Sequence, residues 1–181
     1  MIKFVTSNEH KFQEIGRKLT LSGISIEWVK MAYEEIQADN TSDISMDSAE
    51  KLSREIHEPF FLEDTGLYID SLNGFPGPYS SFVSRTIGNE GILKLLKGAD
   101  RVARFITVIT YWDGEGFHQF TGTLEGEISL EIKGSGGFGF DPIFIPSGQA
   151  KTLSDMSLDE KNSISHRSRA LERFVSFLPR K

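Results

Sequence analysis

The sequence predicts an α/β fold: a mixed β-sheet flanked by helices. Three observations carry this. The chain opens as strand, polar turn and helix, because Ile2–Val5 is short and largely apolar, Thr6-Ser7-Asn8 follows, and Phe12, Ile15 and Leu19 then recur at helical spacing. Two apolar, β-branched stretches, 103–112 and 117–123, flank Asp113-Gly114-Glu115-Gly116, a hairpin signal that puts antiparallel strands beside crossover-linked ones. No repeat, low-complexity tract or Pro/Gly-rich linker divides the 181 residues. One domain over 1–181, built as two lobes, is therefore expected.

The other elements follow in order. Met46, Ala49, Leu52 and Ile56 give a helical pattern that ends before Pro59. Two short strands are expected at 60–62 and 67–69, split by a turn at Glu63-Asp64-Thr65-Gly66. Residues 73–78, with two Gly and two Pro, read as a loop. A helix is expected over 87–96 and a separate strand over 124–132. Ser157-Leu158-Asp159-Glu160 matches a capping box. Ser165 suits the N-cap of a last helix whose buried face is Leu171, Phe174, Val175 and Leu178.

Composition narrows the function. Lys plus Arg number 20 and Asp plus Glu 26, a net charge of −6. That argues against nucleic acid or a membrane surface as partner, since both need a broad basic face. The charge is uneven: residues 150–181 carry seven basic and four acidic side chains, which suits a small anion. Fourteen Phe supply a core. Without cysteine there is no disulfide, thiolate nucleophile or Cys-ligated zinc. The opening residues do not read as a signal peptide, and no apolar run reaches the roughly 20 residues of a membrane helix, so a cytoplasmic location is expected.

Four places can do chemistry. Thr6, Ser7 and Asn8 form a strand-to-helix turn whose free N–H groups and helix dipole suit phosphate, with Lys11 one turn on as a point charge; an N-cap and a surface lysine explain the same residues. Glu63 and Asp64 follow an apolar strand, where open α/β sheets place their ligands, though a solvated turn has the same composition. Such an acid, with one of Glu34 and Glu35, can hold Mg²⁺ and leave room for waters and substrate oxygens. Gly134, Gly136 and Gly139 satisfy G-x-G-x-x-G, but no helix follows, because 141–146 continues extended; a dinucleotide fingerprint is rejected. A glycine-rich loop with Phe138 and Phe140 can instead approach and stack on a planar ring, or simply bury two core phenylalanines. His166 and Arg167 start a helix, where the dipole disfavours positive charge, so an anionic or carbonyl-bearing ligand would explain them; helix-surface solvation is the plainer alternative.

TSNxxK, EDTGL, NGFPGPYSS, GGFGFDPIF and DEKNSISHR occur here in one order. In these motifs the chain resembles the inosine triphosphate pyrophosphatases, which hydrolyse non-standard purine nucleoside triphosphates such as ITP, dITP and XTP. The resemblance extends from Phe4 to about Leu171. It implies an elongated mixed sheet with the active-site cleft between two lobes, Mg²⁺ as cofactor, and a homodimer. It further implies that Thr6, Ser7, Asn8 and Lys11 bind the triphosphate. Asp64 would be metal ligand and proton acceptor, Thr65 a substrate contact, and Glu35 the second metal carboxylate, with Glu34 as its competitor. Phe138, Gly139, Phe140 and Asp141 would form the base-binding loop, and Lys161, His166 and Arg167 the remaining nucleotide contacts. Two departures stand out: Phe140 occupies a position often Tyr or Trp, and Ser48 lies near a position that is lysine in some members. The reaction implied yields the monophosphate and pyrophosphate. The alternatives are a non-catalytic nucleotide- or RNA-binding module and a pyrophosphatase of the same fold acting on ordinary nucleotides.

Overall fold

Local signals place the first βα unit where the sequence predicts it. The computed structural model describes residues 1–179. β1 (Ile2–Val5) buries Phe4 and Val5 completely. Asn8 then takes an extended backbone, and its side chain accepts the Lys11 N–H at 3.2 Å, which starts α1 (Glu9–Leu21). Ile15 and Leu19 are the buried stripe of that helix. β2 (Ile26–Val29), which the sequence reading passed over, pairs in parallel with β1. Its four residues are at most half-buried, so they carry no alternation to read.

α2 (Thr41–Leu52) is capped by Asn40, whose side chain accepts the Asp43 N–H at 2.9 Å. The helix stops earlier than expected, and Ile56 is buried in the turn beyond it. β3 then runs unbroken over Phe60–Ile69, parallel to β1. This corrects the expected pair of short strands and the turn between them. Glu63 and Asp64 lie inside a buried strand because counter-charges from elsewhere in the chain meet the glutamate. Gly66 is there because backbone approaches closely: a Cβ would stand 2.7 Å from the Gly77 carbonyl oxygen of β4 (Pro76–Gly77), which pairs antiparallel with β3. Gly66→Ala should therefore lower stability by about 1–3 kcal/mol, read as a drop in melting temperature with unchanged denaturant slope. The expected loop at 73–78 thus contains a short strand, entered through Asn73 at φ +53°.

α3 (Ser80–Thr86), which was not expected, precedes α4 (Gly88–Leu95), the helix expected over 87–96. β5 (Val102–Trp112) and β6 (Phe117–Ile128) form the predicted hairpin, and Asp113 Oδ1 accepts the N–H groups of Glu115 and Gly116, each at 2.8 Å. The strand expected over 124–132 is the end of β6, not a separate element. β7 (Phe144–Pro146) pairs antiparallel with β6. α5 (Leu158–Ile164) starts with the predicted capping box, and α6 (His166–Phe177) follows Ser165. The strands bond in the order β2-β1-β3-β5-β6-β7, with β4 added to β3, a mixed sheet as expected. No helix among the described residues is long and apolar enough to cross a membrane.

The chain divides into two compact units, each discontinuous in sequence. The first comprises 1–64, 107–122 and 167–181, and has two apolar clusters. One joins Phe4, Phe61 and Ile109 to Ile15 and Leu19 of α1 and Leu171 and Phe174 of α6. The other joins Val5, Phe60 and Leu62 to Ala49 and Leu52 of α2. The second unit, 65–106 and 123–166, has a single core that includes Leu67, Ile92, Phe105, Phe140, Ile143 and Phe144.

Candidate active site

In the first unit, Thr6, Ser7 and Asn8 form the turn from β1 to α1. The Asn8 N–H donates to Thr6 Oγ1 at 3.1 Å, and Ser7 is exposed at the helix start. Lys11, on the first turn of α1, reaches back to β3. Its ammonium donates to the Glu63 carbonyl at 2.8 Å and lies 2.9 Å from a Glu63 carboxylate oxygen.

Asp64 is 7% exposed. Its Oδ1 accepts from the Tyr33 hydroxyl at 3.3 Å, while buried Oδ2 has no hydrogen-bond partner among the described residues. Burial pushes the Asp64 carboxyl up to about 6; nearby Glu35 and Glu63 act in the same direction, and the Lys11 ammonium and Ser45 hydroxyl oppose them. Burial also raises the Tyr33 phenol well above its ordinary value, with Asp64, Glu35 and Glu63 adding to it. Glu35, in the segment before α2, thus adds to the upward push on both Asp64 and Tyr33.

The group offered to a cation is thus an unsatisfied, buried carboxylate oxygen with a second carboxylate near it. That donor set suits Mg²⁺, which takes one or two carboxylates and fills its other positions with water and phosphate oxygens. Among the described residues no three acidic or histidine side chains cluster as a complete metal cage. Tyr33 and Ser45 belong to this site and were missed from sequence. Tyr33 sits in a non-periodic segment, and Ser45 is a buried helix serine bonded to Thr110 Oγ1 at 2.7 Å; neither has a local signal.

Arg167 lies in the same unit, almost fully buried. Its Nε donates to Glu63 at 3.2 Å and its Nη1 to Glu14 at 2.6 Å. The positive charge at the start of α6 is thus answered from within the chain, which removes the sequence-level argument that it requires a ligand.

In the second unit, Gly134–Phe140 is a loop tied down at several points. Asp141 Oδ2 accepts the Phe138 N–H at 2.8 Å and the Lys161 ammonium at 2.8 Å. Both charged partners are nearly fully buried. Gly137, at φ +71°, is needed because any Cβ would collide with the Asp141 carboxylate. Asn89 donates to the Gly139 carbonyl at 3.2 Å. Phe138 is half-buried, with the Lys161 ammonium 5.0 Å from its ring centre.

Phe140 is 3% exposed and packs in the core of this unit, so stacking on a ligand does not fit its place; Phe138 is the loop ring not consumed by the core. His166 is buried with its ring stacked on Phe105 at 4.7 Å. Thr65, half-buried, begins this unit directly after Asp64.

Comparison with known proteins agrees with this architecture. The chain is 49% identical over 178 residues to a dITP/XTP pyrophosphatase of Thermococcus kodakarensis, covering 98% of this chain and 96% of that one. It is 41% identical over 182 residues to a dITP/XTP pyrophosphatase of Methanosarcina acetivorans, covering 99% and 98%. The solved structure of a HAM1 protein from Coxiella burnetii superposes with a TM-score of 0.82 at 27% identity, covering 97% of this chain and 98% of that one. The family model described as the Ham1 family matches residues 2–177, and with relatives of this identity over nearly its whole length, the chain belongs to the Ham1 family.

Proposed function

We propose that this chain hydrolyses non-standard purine nucleoside triphosphates (ITP, dITP and XTP) to the monophosphate and pyrophosphate, as a cytoplasmic homodimer that uses Mg²⁺. The substrate class follows the activity in the names of its relatives. The observation that carries the chemistry is Asp64 Oδ2, a buried acceptor without a partner among the described residues, beside Lys11 and Glu35. For the dimer, Tyr79 and Phe82 offer exposed apolar surface.

Asp64 and Glu35 would hold the cation, which when bound offsets triphosphate charge and makes water more acidic. The Thr6–Asn8 turn and the Lys11 ammonium bind the phosphates, since N–H groups at a helix start and a fixed cation both favour anions. Asp64 accepts a proton from the water that attacks the α-phosphorus. The bond from that phosphorus to the bridging oxygen breaks, and pyrophosphate leaves with the negative charge that Lys11 counters. Phe138 stacks on the base, and donors from the 134–140 loop and His166 meet a 6-keto oxygen. A 6-amino group leaves those donors unpaired, a mismatch that can reach roughly 10⁴-fold in rejection.

A panel of ITP, XTP, GTP, ATP and dTTP, with and without Mg²⁺, tests this by pyrophosphate release. ITP and XTP should exceed ATP by about 100-fold or more in kcat/KM, and only with the cation. Tight binding without pyrophosphate would mark a binding module, and equal turnover of ATP would mark an enzyme of ordinary nucleotides.

A further inference from the structure

Glu63 and Asp64 are neighbours on β3 and so point to opposite faces. Phe61 and Glu63 share the face that packs on α1 and α6, whereas Phe60, Leu62 and Asp64 share the face toward α2. Glu63 is 1% exposed, and a lone carboxylate at that depth would be neutralised. Here it is surrounded by donors: the Lys11 ammonium at 2.9 Å, Arg167 Nε at 3.2 Å and the Thr107 hydroxyl at 3.3 Å. Arg167 is itself held by Glu14 at 2.6 Å.

The Lys11 ammonium donates to the Glu63 carbonyl and forms an ion pair with the Glu63 carboxylate. The ammonium is pinned at both contacts while its side chain keeps some exposure. Resting on the pyrophosphatase reading above, we infer that Glu63 is a positioning residue that fixes the Lys11 ammonium for the triphosphate without touching substrate. A free lysine loses rotamer freedom when it is immobilised. Holding it in advance removes that cost from the reacting complex, where a fixed charge stabilises the departing phosphate more than the bound one. Glu63 therefore acts on kcat. Replacing it with a neutral side chain lets Lys11 roam but removes a competing anion, so ground-state affinity for the triphosphate holds.

The test is a double-mutant cycle on the full chain with Mg²⁺ and ITP. Glu63→Gln should lower kcat about 10- to 100-fold while KM changes less than threefold. Lys11→Ala should raise KM and lower kcat. In the Lys11→Ala background, Glu63→Gln should change kcat by less than twofold, because its effect runs through the missing ammonium. Independent, multiplying losses would overturn the inference, as would an unchanged kcat in Glu63→Gln. If Glu63→Gln does not fold, Thr107→Val decides: it leaves the partners of both ion pairs in place and takes away the hydroxyl that donates to the carboxylate. It should cost kcat a few-fold in the wild-type background and nothing beside Lys11→Ala, and an equal loss in both backgrounds overturns the inference. Turnover by the wild-type chain with additive cycles defeats this inference alone, whereas a wild-type chain that releases no pyrophosphate defeats the functional reading beneath it.

Discussion

Asp64→Asn should release pyrophosphate from ITP about 10³-fold more slowly than the wild-type chain and yet, free of metal at pH 8, melt at a higher temperature. Both follow from replacing one carboxylate, which is the proton acceptor and also a buried charge. Burial raises the Asp64 carboxyl from its ordinary 3.8 to about 6. At pH 8 the folded chain must keep a poorly solvated carboxylate ionised, while the unfolded chain ionises it freely. A gap of about two pH units corresponds to roughly 3 kcal/mol. Because the folded value is the raised one, the stability linked to this group is fully present below pH 3.8 and is lost as pH rises through 6. Asparagine has no charge to desolvate, so the variant should gain nothing near pH 4 and most above pH 7. For a chain of this size the gain is about 5–10 °C. Thermal melts in chelator at pH 4 and pH 8 read it directly. Equal melting temperatures at pH 8 would mean that Asp64 is not desolvated, and full activity would mean that it is not the proton acceptor.

The second large effect is on the glycine loop. Asp141→Ala should destabilise the protein by about 3–5 kcal/mol, because it removes the carboxylate paired with a Lys161 ammonium that almost no water reaches. It also takes away the acceptor of the Phe138 N–H, so the loop carrying the stacking ring loosens and KM for ITP should rise. The cost comes from removing one partner of a buried pair while the other charge stays, not from the worth of the pair. Asp141→Ala combined with Lys161→Met should therefore recover most of the lost stability while KM stays high. Denaturant melts and ITP kinetics on the three variants check this. A single variant within about 1 kcal/mol of wild type would mean that the buried pair is not what holds the loop.

Much of the fold was legible from short-range patterns. Asn8 and the apolar spacing of Ile15 and Leu19 mark α1; Ser157 and Glu160 mark α5; Asp113 to Gly116 mark the hairpin. Each signal acts over a few residues, through a side chain capping nearby N–H groups or through the repeat of a helix face. The motifs from TSNxxK to DEKNSISHR were likewise enough to point to the family that the comparisons show.

The tertiary structure decided what a buried charge is doing. Glu63 and Asp64 look like turn residues because, locally, two acids and a glycine belong in water. They lie inside a strand because Lys11 and Arg167, 52 and 104 residues away, reach one of them. Phe138 and Phe140 are alike in sequence, and only packing against Ile143 and Phe144 consumes the second. Nothing near Arg167 in sequence marks Glu14 and Glu63, which meet its guanidinium in the fold. Sequence carries hydrogen bonds and periodicity across one or two turns; counter-charges and core neighbours come from chain folded back from far away, and these set which side chains are spent on the fold and which are kept for a substrate.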